Sequence, residues 1–167
     1  SFRLKQFSEK YFHGKTVKFS ENLEFIYPEN LPVIPIYRVT DTEGKVVDAS
    51  QDPHLDKDTS LKIYHSMSLL HATDKILYDS QRQGRISFYM TNFGEEACQL
   101  GSAAALKEDD LIYGQYREVG ALIWRGYGVK QIINQCYGNA NDLGKGKQMP
   151  MHYGSTESNF VTISSPL

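Results

Sequence analysis

The chain has 167 residues, 40% of them hydrophobic and 23% charged, enough for one globular domain that buries roughly two-thirds of its unfolded surface. Lysines and arginines number 18 against 20 acidic residues, for a net charge of −2; no basic stripe interleaves with aromatics, which argues against a nucleic-acid partner. No apolar run approaches the ~20 residues of a membrane helix, and Cys98 and Cys136 alone support neither a disulfide framework nor a zinc site with paired ligands, so they fit a reducing compartment.

Residues 1–20 carry Arg3, Lys5, Lys10, Lys15 and Lys18 against one acid, Glu9. Two readings stand: an irregular solvated arm, or the end of an organellar presequence or start of a mature chain. Between Glu24 and Pro35, Pro28, Pro32 and Pro35 bar a regular helix, so an extended arm is expected. Ile36–Val39 and Lys45–Val47 are β-prone runs joined through Gly44, which can take the positive φ that closes a hairpin.

Asp58 or Thr59 is expected to cap a helix over Ser60–Arg82. Its apolar face is read as Leu61, Ile63, Tyr64, Met67, Leu70, Ile76 and Leu77, with Lys62, Asp74, Lys75 and Asp79 elsewhere. Ile86–Met90 reads as an irregular or strand-like connector. Gly94-Glu95-Glu96 opens a second helix, Glu95–Leu106, whose first-turn acids suit its dipole. Ala97, Gly101, Ser102, Ala104 and Ala105 give that helix a small-residue side, expected to pack closely on another helix.

The run from Leu111 to Trp124 is where chemistry is expected. An apolar strand-like segment meets Gly114 and turns into a helix, with Gln115, Tyr116 and Arg117 at the join. Backbone N–H groups at such a corner, with a planar guanidinium beside them, suit a phosphate. On residue type alone, a salt bridge from Arg117 to Glu118 or another acid is the competing reading, and Tyr116 as a core residue is the competing reading for that ring. A helix over Val129–Tyr137 follows, then a 17-residue loop, Gly138–Gly154, long enough to be functional. Asn159–Ile163 reads as a buried strand that delivers Ser164 and Ser165 at its carboxyl end, where ligands of open α/β sheets collect.

Other signatures fail. Gly138, Gly144 and Lys145 lack the Ser or Thr that a P-loop needs, and Gly126-Tyr127-Gly128 lacks the third glycine of a dinucleotide fingerprint. His13, His54, His65, His71 and His152 form no HExxH pattern, and His65 and His71 read as ordinary helix histidines. Cys98 and Cys136 read as buried packing residues without a catalytic role.

Four segments read together carry a resemblance: Gly84-Arg85-Ile86-Ser87-Phe88-Tyr89-Met90-Thr91-Asn92-Phe93-Gly94-Glu95-Glu96, Tyr113-Gly114-Gln115-Tyr116-Arg117-Glu118, Gly144-Lys145-Gly146-Lys147-Gln148-Met149-Pro150-Met151-His152-Tyr153-Gly154 and Thr162-Ile163-Ser164-Ser165-Pro166-Leu167. From about Leu23 onward the chain resembles the α subunits of branched-chain 2-oxo acid dehydrogenases, the thiamine-diphosphate-dependent decarboxylating components of a mitochondrial complex.

The resemblance implies a doubly wound α/β fold, helix-rich, present here as its amino-terminal part. Residues 1–57 would be arm and hairpin, and 58–167 the first part of the cofactor-binding domain. It also implies an α2β2 heterotetramer in the mitochondrial matrix, with a β subunit at each cofactor and a lipoyl-bearing transacylase as acyl acceptor. Tyr116 and Arg117, with Gln115 beside them, would hold the diphosphate; Ser165 and Leu167 would line the cofactor; Ser164 and the Pro166 carbonyl would help bind potassium. The magnesium ligands, a Gly-Asp-Gly-like turn and a later Asn, are not among these motifs, and Gly94-Glu95-Glu96 does not supply them. No residue of the chain is assigned a catalytic role. A pyruvate-type α subunit, or a truncated interaction fragment without activity, are the alternative readings.

Overall fold

The computed structural model describes residues 21–164, in two units that divide between Asp52 and Pro53. In the first, the arm contains one 3-10 turn, Pro28–Asn30, started by its proline. The expected hairpin reduces to a single antiparallel bridge, Thr40 with Val46. Its turn chemistry is as expected, with Gly44 at φ 81° and Asp41 Oδ1 accepting from the Glu43 and Lys45 N–H groups at 2.9 Å each. Among the described residues these two short β-prone runs meet no third strand, and two strands alone do not hold a longer ladder.

In the second unit, helix α1 spans Lys57–Arg82, three residues earlier at its start than expected. Asp56 is the cap: it accepts from the Thr59 N–H and hydroxyl, both at 2.8 Å. Thr59 is therefore occupied as a donor, and Asp58 lies in the first turn, where a negative charge suits the helix dipole. Gly84, at φ 72°, ends the helix.

The buried stripe of α1 differs from the expected one. Ser66, Leu70, Thr73, Asp74, Leu77 and Ser80 are buried, whereas Leu61, Tyr64 and Ile76 are more than half exposed. At 100° per residue, Leu61, Tyr64 and Ile76 fall on the side opposite Leu70 and Leu77. The apolar residues thus ring more of the helix than its packing covers, and steps of three and four alone do not choose the face.

Helix α2, Glu96–Ala104, buries Gln99, Leu100 and Ala103 and packs on α1 and on a short helix α3, Val119–Trp124. The small-residue side is not the packed one. Ala97, Gly101 and Ala105 are exposed, and a Cβ on Gly101 would meet nothing within 4 Å. Close approach occurs instead at Gly120 in α3, where a Cβ would lie 2.8 Å from Gln99 Cβ and from Leu100 Cδ2.

Between α2 and α3 lies strand β1, Ile112–Gly114. It pairs in parallel with β2, Phe160–Thr162, in the register Ile112 to Phe160, Tyr113 to Val161 and Gly114 to Thr162. The crossover runs through α3, helix α4, Val129–Cys136, and the long loop. Gly114 is required by packing: a Cβ there would stand 2.1 Å from the Phe160 ring. The result is an α/β, helix-rich unit with a small parallel sheet. Leu70, Leu77, Leu100, Leu122, Ile132, Met151 and Tyr153, all under 2% exposed, form its centre. Among the described residues no helix is long and apolar enough to cross a membrane.

Candidate functional site

The corner after β1 forms as expected: Gly114 leads into a turn at Gln115–Glu118, and α3 follows. Its backbone donors, however, are largely taken. The Gln115 N–H donates to the Glu118 carboxylate, the Glu118 N–H to the Gln115 carbonyl at 3.4 Å, and the Gly120 N–H to Gln99 Oε1 at 2.8 Å. An anion at this corner is therefore met by side chains rather than by a row of open N–H groups.

Tyr116 and Arg117 are the side chains that stand at this corner. Tyr116 is half-buried, edge-on to Phe88 with ring centres 6.1 Å apart, and 6.4 Å from the His152 ring. It packs against the core from this position, as the competing reading of that ring expects.

Arg117 is half-buried, and the salt bridge to Glu118 is not made. Its Nη2 lies 3.7 Å from Met90 Sδ, a weak acceptor. Its Nε is buried with no hydrogen-bond partner among the described residues. An unpaired buried donor on a charged group is costly, of order 1–3 kcal/mol or more, and a bidentate anion is the partner that a guanidinium fork fits. An open cleft of about 430 Å³ adjoins it, lined in part by Cys98, Gln99, Ser102, Ile112 and Ala121. Cys98, expected as buried packing, is exposed in that lining because it lies on the outward side of α2. Cys136 is buried as expected; burial raises its thiol pKa, which keeps it an inert neighbour of the Tyr153 hydroxyl, 3.3 Å away.

The long loop passes behind Tyr116. Gln135 of α4 clamps it at two points, donating to the Met149 carbonyl at 2.6 Å and accepting from the Met151 N–H at 2.7 Å. His152 is buried and donates from Nδ1 to the Pro150 carbonyl at 3.1 Å. Burial pushes the Tyr153 hydroxyl well above its ordinary range and the Tyr127 hydroxyl up to about 12, so both remain neutral. The loop is ordered by these bonds and by Asp142, which accepts from the Gly146 N–H at 2.9 Å.

Beyond β2, the Ser164 hydroxyl donates to Gln148 Oε1 at 3.1 Å. That places two oxygens together at the strand's carboxyl end, an exposed position. Ser165, Pro166 and Leu167 lie outside the described residues. Among the described residues no group of three or more His, Cys, Asp or Glu side chains gathers to hold a metal. Gly94-Glu95-Glu96 has a local use instead: Glu96 accepts from the Gly94 N–H at 2.8 Å and faces His71 Nδ1 at 3.1 Å.

Sequence reasoning missed four contributors. Phe88, Met90 and His152 lie within motifs singled out above, yet nothing local marks them as neighbours of Tyr116 and Arg117. Gln99 carries no signal at all, because its role depends on α3 arriving 2.8 Å away.

A parallel strand pair with an underused arginine at its carboxyl ends is an α/β unit with room for an anion at the strand ends. The chain belongs to the dehydrogenase E1 component family, whose model matches residues 64–167. It is 61% identical over all 167 residues to the mitochondrial 2-oxoisovalerate dehydrogenase subunit alpha of Caenorhabditis elegans. Identity is 58% over 156 residues to the human protein of that name, and 46% over 156 residues to subunit alpha 1 of Arabidopsis thaliana. These alignments cover 100%, 93% and 93% of this chain but 39%, 35% and 33% of the relatives, so the chain spans about two-fifths or less of their length.

Proposed function

We propose that the chain is part of the α subunit of a mitochondrial branched-chain 2-oxo acid dehydrogenase, an oxidoreductase. The complete enzyme decarboxylates branched 2-oxo acids and passes the acyl group to lipoyl groups of a transacylase. Substrate class and a mitochondrial location rest on the names of the relatives, and the matrix is the compartment consistent with them. The observation that carries the site is the orphaned Nε of Arg117 beside Tyr116.

Arg117 fits the diphosphate of thiamine diphosphate by charge and by its fork of donors; Tyr116 and Gln115 flank it. Ser165 and Leu167 line the cofactor in this reading. Ser164 and the Pro166 carbonyl contribute oxygens to a potassium ion, a hard cation that wants such ligands. Magnesium is held by residues outside these motifs. The doubly wound fold is completed, and the site closed, in an α2β2 heterotetramer with the β subunit against the cofactor.

Thiamine diphosphate, when bound, supplies carbanion stabilisation for decarboxylation. This chain's residues bind and orient. Arg117 neutralises phosphate charge; Phe88 and the loop's His152 stand on the ring of Tyr116 and hold it beside Arg117.

Two measurements on the full-length α subunit with its β partner test the reading. Decarboxylation of 3-methyl-2-oxobutanoate is expected to exceed that of pyruvate in kcat/KM; the reverse would assign a pyruvate-type enzyme. Calorimetric titration is expected to find that Arg117→Ala weakens thiamine diphosphate binding by about 2 kcal/mol or more, the scale of a buried charged hydrogen bond. Unchanged affinity would end Arg117's role as anchor.

A further inference from the structure

A buried hydrogen-bonded chain runs through the second unit and reaches the cleft beside Arg117 only at its last side chain, Gln99. Asp74 in α1 is 0% exposed, Asn92 0% and Gln99 7%. Asp74 Oδ1 accepts from the Tyr89 hydroxyl at 2.8 Å and from Asn92 Nδ2 at 2.9 Å. Its Oδ2 accepts from the Asn92 N–H. Asn92 Oδ1 accepts from Gln99 Nε2 at 2.9 Å, and Gln99 Oε1 accepts from the Gly120 N–H at 2.8 Å.

The chain has one direction. A carboxylate only accepts, so Asp74 compels Asn92 to present its NH2 to α1 and its carbonyl to α2. Gln99 must then present its NH2 to Asn92 and its carbonyl to Gly120. Reversing either amide sets donor against donor. The orientation of Gln99 is thereby determined in α1, through two side chains, in a fully buried setting where an unmade bond is costly.

Both ends of this chain bear on Arg117. Gly120 is three residues after it, in the first turn of α3. Glu118, at the cap position, makes no side-chain cap bond, so the donor that a helix start leaves open is met by Gln99 from α2. On the other side, Tyr89 and Asn92 bracket Met90, whose sulfur contacts the guanidinium at 3.7 Å. Met90 is also pinned by its own N–H to Met151 Sδ at 2.9 Å.

We infer that Asp74, Asn92 and Gln99 are positioning residues that seat Arg117, by fixing the start of α3 after it and the Met90 segment beneath it. The inference rests on Arg117 being the cofactor's anchor. The Asp74 carboxylate and both side-chain amides are engaged with one another, with Tyr89 and with the Gly120 N–H, so they act by holding the segments around Arg117, in the manner of outer residues that support a binding group.

Gln99→Leu, in the full-length α subunit assembled with its β partner, removes both amide functions while keeping much of the side chain's bulk. Titration with thiamine diphosphate is expected to give a Kd about tenfold higher, with kcat at saturating cofactor within about twofold of the parent, because only the anchor is displaced. Gln99→Met, which also lacks both amide functions and keeps the side chain's length, is expected to match Gln99→Leu; if Gln99→Leu does not assemble, Gln99→Met takes the same measurements alone. In an Arg117→Ala background the Gln99 substitution is expected to add no further loss, since the two act through one contact. A lowered melting temperature with unchanged Kd, or losses that add in the double variant, would overturn the inference. Arg117→Ala measured alone separates the cases: if it leaves the Kd unchanged, the anchor reading has failed; if it weakens binding while Gln99→Leu does not, only the relay has.

Discussion

Asp74 and Arg117 are both charged side chains drawn out of water within one unit, and the chain treats them oppositely. Asp74 is completely buried and receives three donors. Arg117 is half-buried, leaves one nitrogen unpaired and offers another to a sulfur. A buried charge persists when its partners are supplied by the fold. The fold supplies them for Asp74 and withholds them for Arg117, and the withheld set is where a ligand can complete the structure. The charge of Asp74 is thus satisfied within the fold, whereas that of Arg117 is left open to the ligand proposed for it.

The sharpest way to break that comparison is to remove the satisfied charge. Asp74→Ala leaves the Tyr89 hydroxyl and both Asn92 donors without an acceptor in the core. It is expected to cost about 3–5 kcal/mol in denaturant unfolding of the full-length α subunit, the range for breaking a buried charged set. A loss comparable to a surface substitution would show that the network is dispensable. Arg117→Ala removes an unsatisfied group, so its stability cost is expected to be far smaller than its cost in cofactor affinity.

The pH dependence follows from the same burial. Desolvation raises the Asp74 pKa, against the opposing pull of the donors from Asn92 and Tyr89, and Glu96 adds a small further rise. Between the ordinary carboxyl value of 3.8 and the raised folded value, the native state holds a proton that the unfolded chain releases. Stability attributable to Asp74 thus falls as pH rises through that window and is constant above it. The wild type's advantage over Asp74→Asn in urea midpoint is expected to shrink across the window. A gap that widens with pH would mean that the donors outweigh desolvation.

Elements marked by breakers and caps were legible in the sequence, and faces were not. The end of α1 at Arg82 and the corner after Gly114 could be read from glycines and from a change of period. The start of α1 was misplaced because Asp56, Asp58 and Thr59 are all good caps, and only the reach of Asp56 to the Thr59 N–H selects one. Asp74 was placed off the core because its charge reads as exposed; its three donors come from residues 15 and 18 positions away. For the candidate site, residue type and motif pointed to Tyr116 and Arg117, and the fold sets them beside Phe88 and Met90. The relay through Gln99 depends on the meeting of α2 and α3, which no local pattern encodes.

The smallest effects test the same point through two helical glycines that look alike in sequence. Gly120 packs against Gln99 and Leu100, each 2.8 Å from where a Cβ would stand, whereas Gly101 faces open space. Alanine gains about 1 kcal/mol over glycine in a helix interior, while overpacking a fixed core costs about 1–3 kcal/mol. At Gly101 only the gain applies, so Gly101→Ala is expected to stabilise the full-length α subunit by up to about 1 kcal/mol in denaturant unfolding. At Gly120 the cost falls on Gln99, which its own hydrogen bonds prevent from moving aside, and Gly120→Ala is expected to destabilise by about 1–2 kcal/mol net. Equal effects at the two sites would mean that the contact between α2 and α3 yields easily, and a contact that yields could not hold the start of α3 in place behind Arg117.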